Sequence, residues 1–92
     1  MIATKQLTLV TAGVVYPLGT ETFNNGILIK ALSTNTGIIY IGNDGAGSIA
    51  VGNGFPLNPG NILALDNVGS LSSIFCVGTI NNDKLAILDL EV

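Results

Sequence analysis

The 92-residue chain predicts an all-β fold, an antiparallel β-sandwich or barrel of seven to eight short strands. Three observations predict it. Short apolar runs rich in β-branched residues recur along the chain, bounded by Gly, Asn and Pro. No segment sustains a 3.6-residue apolar stripe through three helical turns. Turn signals also fall between the runs at the spacing that sandwiches use.

Taken in order, Lys5 to Thr11 opens as a strand of alternating apolar and polar residues until Val10 disturbs the pattern. Val14-Val15-Tyr16 extends the chain again and Pro17 stops it. Leu18 to Phe23 reads as an irregular connection or a short edge strand, and Asn24-Asn25-Gly26 as a tight turn. Gly26 to Leu32 is a strand, Ser33 to Gly37 a turn, and Ile38 to Ile41 an antiparallel neighbour of the strand before it. A long Gly- and Asn-rich loop follows, with an apolar island at Ile49-Ala50-Val51 and a turn through Gly54-Phe55-Pro56-Leu57-Asn58-Pro59-Gly60. Strands at Ile62 to Leu65, Leu71 to Val77 and Lys84 to about Leu90 complete the chain, separated by turns at Asp66 to Ser70 and Gly78 to Asp83.

A chain of this length makes one domain over residues 1–92, with residues 1–10 as an extended arm or an edge strand. Several strands are apolar on both faces. Ile27, Ile29 and Ala31 oppose Leu28 and Leu32, and Leu85 and Ile87 oppose Ala86, Leu88 and Leu90. One interior cannot cover both sets, so the second face needs loops, sister subunits or another surface, and little chain remains to form loops over it. The pattern favours a homo-oligomer.

Charge excludes some classes of function. Three lysines, no arginine and a net charge of −3 do not build a phosphate-neutralising patch, so nucleic acid is not an expected partner. No apolar run approaches the roughly 20 residues of a membrane helix, and the first residues do not read as a signal peptide. The chain has no histidine, which removes Ser-His and Cys-His nucleophiles and histidine metal sites. The acids Glu21, Asp44, Asp66, Asp83, Asp89 and Glu91 show no pairing suited to acid–base catalysis. Asn43 to Ser48 lacks the ligand alternation of a calcium loop, and the glycines Gly42, Gly45 and Gly47 precede neither a helix nor a phosphate-binding lysine. The single cysteine, Cys76, sits in an apolar strand and reads as a buried inert thiol. No enzyme, cofactor or metal is expected. Tyr40 reads as a core or interface residue, and Phe55, between Gly54 and Pro56, as an exposed anchor or a lid.

The run from Ile27 to Gly42, ILIKALSTNTGIIYIG, resembles small virion proteins of tailed bacteriophages, in which an "I-K-A" strand precedes "N-T-G-x-I-Y-V-G". The likeness continues through Asn53-Gly54-Phe55-Pro56-Leu57-Asn58-Pro59-Gly60 and Leu71-Ser72-Ser73-Ile74-Phe75-Cys76-Val77-Gly78. Phe75-Cys76 departs from the usual Tyr-Val or Tyr-Ile, and the first 25 residues match no part of the pattern. The resemblance implies a jelly-roll-like capsid decoration (cement) or head-fibre protein, often trimeric, located on the virion after synthesis in the host cytoplasm. Its partner would be the major capsid protein, which it would reinforce by interface burial. A receptor- or carbohydrate-binding module of a phage fibre or tail is the alternative. Expected contacts with capsid or sister subunit are Ile2, Thr4 and Leu7 in the N-terminal segment, which would add a strand to a sheet edge, together with Tyr40, Phe55 and Leu57.

Overall fold

The computed structural model describes residues 4–20, 22–23, 26–42, 54–66 and 69–89. The anticipated turn at Asn24-Asn25 and the apolar island at Ile49-Ala50-Val51 lie outside these residues. The fold is all-β, as the sequence predicts. The described residues form ten strands: β1 (Thr4–Leu9), β2 (Val15–Pro17), β3 (Thr22–Phe23), β4 (Ile27–Ala31), β5 (Ile39–Gly42), β6 (Phe55–Leu57), β7 (Ile62–Leu65), β8 (Gly69–Ser70), β9 (Phe75–Gly78) and β10 (Asp83–Asp89). Their pairings are all antiparallel.

Two four-stranded sheets form the layers. The first has the order β1-β10-β4-β7 and the second β2-β9-β5-β6, while β3 and β8 form a separate short pair. The chain repeatedly crosses between the layers. It passes from first to second sheet after β1 and β4, and from second to first after β6 and β9. This jelly-roll-like path corrects the expectation that β5 pairs with β4. β4 lies between β10 and β7, whereas β5 pairs with β9 and β6.

Two further corrections concern local structure. Phe55–Leu57, read as part of a turn, is a strand on β5, with Ile39 opposite Leu57. The anticipated strand from Leu71 is a 3₁₀ turn over Leu71–Ser73 before β9 begins. Ser70 caps that turn by accepting the Ser72 N–H at 3.1 Å, so its first residues have local hydrogen bonds that compete with a ladder.

Period-two alternation decides what is buried. On β4, Ile27, Ile29 and Ala31 are fully buried, and their register partners Leu85 and Ile87 on β10 face the same way. From the second sheet come Ile39, Ile41, Leu57 and Cys76, and together with Leu9, Leu18 and Leu71 these side chains form one core cluster.

The β4–β5 crossing is tied down by polar groups. Asn35 and Asp83 are buried, and each is fully engaged. The Asn35 amide donates to the Lys84 carbonyl and accepts the Lys84 N–H, both at 2.8 Å. The Asp83 carboxylate accepts the N–H groups of Thr36 and Gly37, and the Thr79 hydroxyl accepts that of Ile38. Among the described residues no buried side-chain polar atom lacks a partner.

Candidate functional site

Two concavities stand out among the described residues. One is a cleft of about 410 Å³ between the sheets at one end of the sandwich. Ile41, Gly42 and Phe55 line it from the second sheet, with Ile74 just before β9, and Leu63 and Leu65 from the first sheet. Alternation places these residues here. Leu63 and Leu65 share a face with Ile29 and Ile27, and Phe55 shares one with Ile41. Phe55 remains 55% exposed because it stands at the lip, where β6 begins. Among the described lining residues the one ionisable group is Asp66, which is exposed.

The second concavity, about 590 Å³, lies on the outer face of the first sheet, floored by Leu28, Ala86 and Leu88 and bordered by Gln6, Lys30 and Ile62. These residues occupy the opposite pleat from the core. Leu28 is paired with Leu88, and Ala86 with Lys30. The second apolar face foreseen on β4 and β10 therefore exists, and it is indented.

The outer face of the second sheet has a different character. Its register rows are Val15-Val77-Tyr40-Pro56 and Pro17-Phe75-Gly42. None of the four strands contains a charged residue. Val77, in the first of these rows, is fully buried and lies outside the core cluster.

The anticipated contact residues are dispersed. Ile2 lies outside the described residues. Thr4 is exposed on the edge strand β1, whose pairing with β10 makes Thr4–Leu9 an integral strand of its own sheet. Leu7 packs against the core opposite Leu85. Tyr40 is half-buried on the outer face of the second sheet, and Phe55 lies at the cleft lip. Leu57 is a correction: it is 1% exposed, facing inward beside Ile39, so its side chain offers a partner no surface. The groove around Ala86 was not anticipated from the sequence. Its signal is present in the alternation of β4 and β10, but strand order is needed to set Leu28 beside Leu88.

A metal centre needs a convergent set of imidazole, thiolate or carboxylate donors. The chain has no histidine, and no group of three such residues forms among those described. Cys76 is buried, and its desolvation pushes the thiol up to about 12, which keeps it protonated and inert.

No family model matches the chain, and no curated protein sequence does either. Among solved structures, the fold is similar to that of an RmlC-like cupin protein from Desulfovibrio desulfuricans, with a TM-score of 0.59 and 17% identity over 95% of this chain and 69% of that one. The likeness supports the jelly-roll sandwich as the fold. It also overturns the expected role as a phage capsid decoration protein, together with its fibre or tail alternative, because the likeness found is to a cupin protein and no comparison points to a virion protein. In physical terms, the strand and turn motifs behind that expectation are ones a jelly roll needs whatever it binds. For example, Asn58-Pro59-Gly60-Asn61 forms a turn with Gly60 at φ +87° and an Asn61 N–H to Asn58 carbonyl bond of 2.9 Å.

Proposed function

We propose that the protein is a non-catalytic binding module that self-associates through the outer face of its second sheet. The observation that carries this reading is the absence of charge from all four strands of that sheet. Val15, Pro17, Tyr40, Pro56 and Phe75 share its outer face. Interface centres are depleted of charge and enriched in aromatic residues in this way. The chain's three lysines all lie on the first sheet, at Lys5, Lys30 and Lys84. Stacking two copies through the outer face of the first sheet would gather Lys30 and Lys84 of both copies in one apolar interface, whereas the second sheet meets itself without charge.

The test is solution mass by light scattering over a dilution series. The expected mass is a defined multiple of the 9.4 kDa chain. Tyr40→Glu should reduce it to one chain with an unchanged circular dichroism spectrum, since Tyr40 lies outside the core cluster. A wild-type monomer at every concentration would overturn the reading.

A further inference from the structure

We propose that the groove on the outer face of the first sheet binds an anionic amphiphile, an alkyl carboxylate, with its chain on Leu28, Ala86 and Leu88 and its head at Lys30. The groove holds about 590 Å³, within the range of small-molecule sites. Its floor is apolar because β4 and β10 carry aliphatic residues on their outward pleat, where an ordinary exposed sheet would be polar. Ala86 supplies the depth. It is the short side chain between Gln6 and Lys30 in its register row, beside the longer Leu88–Leu28 row.

Charge complementarity selects the occupant. The protein carries −3 overall, yet among the described residues no acidic one lines this groove. Lys30 is exposed on its border, Lys5 also lines it, and Lys84 shares the outward pleat of β10 two residues from Ala86. A cation beside an apolar trough on an otherwise acidic molecule favours a ligand that is apolar along its length and anionic at one end. From Lys30 on β4 across β10 to β1 is two spacings of about 4.8 Å, roughly 10 Å, which seats most of a ten-carbon chain. A second copy is disfavoured as occupant, since it would bring the same lysines and no added acidic group to the groove. The proposal is independent of self-association, which uses the opposite sheet.

The experiment titrates the full chain with decanoate below its micellar concentration, reading methyl and amide shifts by NMR and affinity by calorimetry. Decanol and butyrate serve as the uncharged and chainless probes, with an acidic peptide as the macromolecular alternative. Saturable binding of decanoate, with shifts at Leu28, Ala86 and Leu88, is expected. Decanol and butyrate should bind at least tenfold more weakly. Lys30→Met should lower decanoate affinity about tenfold without changing that for decanol, and Ala86→Leu should abolish binding by filling the trough. Both positions lie on the outer face, and an unchanged melting temperature would show that each variant is folded. Equal affinity for decanol and decanoate would overturn the proposal, as would shifts confined to the cleft at Phe55 or binding of the acidic peptide alone.

Discussion

The Asp83 carboxylate accepts the Gly37 N–H at 2.9 Å across 46 residues of sequence, and its other oxygen accepts the Thr36 N–H at 3.2 Å. Asp83 opens β10 in the first sheet, whereas Gly37 leads into β5 in the second. One buried carboxylate thus clamps the crossing between layers, and the neighbouring Asn35–Lys84 pair doubles the clamp.

Replacing Asp83 by Ala would leave the part-buried N–H groups of Thr36 and Gly37 without their acceptor. The expected loss is about 2–4 kcal/mol of stability, from roughly 1–3 kcal/mol per orphaned group with partial rescue by water. Chemical denaturation measures it, and a loss below about 0.5 kcal/mol would show that the clamp is dispensable.

Gly37 has no room for a side chain. A methyl group there would run into the Thr79 hydroxyl and the Ile80 side chain, and that same hydroxyl accepts the Ile38 N–H at 3.0 Å. Gly37→Ala is therefore expected to cost about 1–3 kcal/mol, the usual scale of overpacking. Thr79→Ser in the same background should recover little, because it keeps the oxygen that the methyl group meets. Thermal unfolding of the two variants checks both statements.

Cys76 should resist thiol reagents in the native protein and react fully once unfolded. Its folded-state thiol is pushed up to about 12 from 9.0 by burial. The sign follows from proton linkage. Below pH 9 both states hold the proton and the contribution to stability is complete. Between about 9 and 12 the unfolded state releases the proton first, so stability falls by up to ~1.4 kcal/mol per pH unit. Unfolding curves from pH 8 to 11 should show this decline, and Cys76→Ala should flatten it.

Leu57 and Phe55 stand two residues apart on β6 with opposite expected behaviour. Leu57→Ala removes a side chain that is 1% exposed and should cost about 2–5 kcal/mol. Phe55, 55% exposed, should tolerate alanine within about 1 kcal/mol. Equal losses would mean that Phe55 closes over the cleft as a lid.

The alternation of β4, β5, β7 and β10 is legible in the chain because a side chain's face depends only on its parity along a strand. Parity alone assigns Ile27 and Ile29 to one face of β4, and Leu85 and Ile87 to one face of β10. β6 is hidden because its Phe-Pro-Leu sequence sits between Gly54 and a Pro-Gly turn, where local signals favour a bend. Its partner on β5 lies outside that local window. The 3₁₀ turn at Leu71 is hidden because Ser70 and Ser72 decide it through side-chain bonds that hydropathy does not register.

An all-β chain, strands apolar on both sides, a buried cysteine and the lack of histidine are readable from residue order alone. Which strands are neighbours emerges in the folded chain, and with it the Leu28–Leu88 floor, the gathering of the lysines on one sheet and the charge-free face of the other. The reason is physical. Alternation is encoded residue by residue, whereas sheet order is fixed by long-range hydrogen bonds such as those of Asp83 and Asn35, whose partners no local pattern identifies.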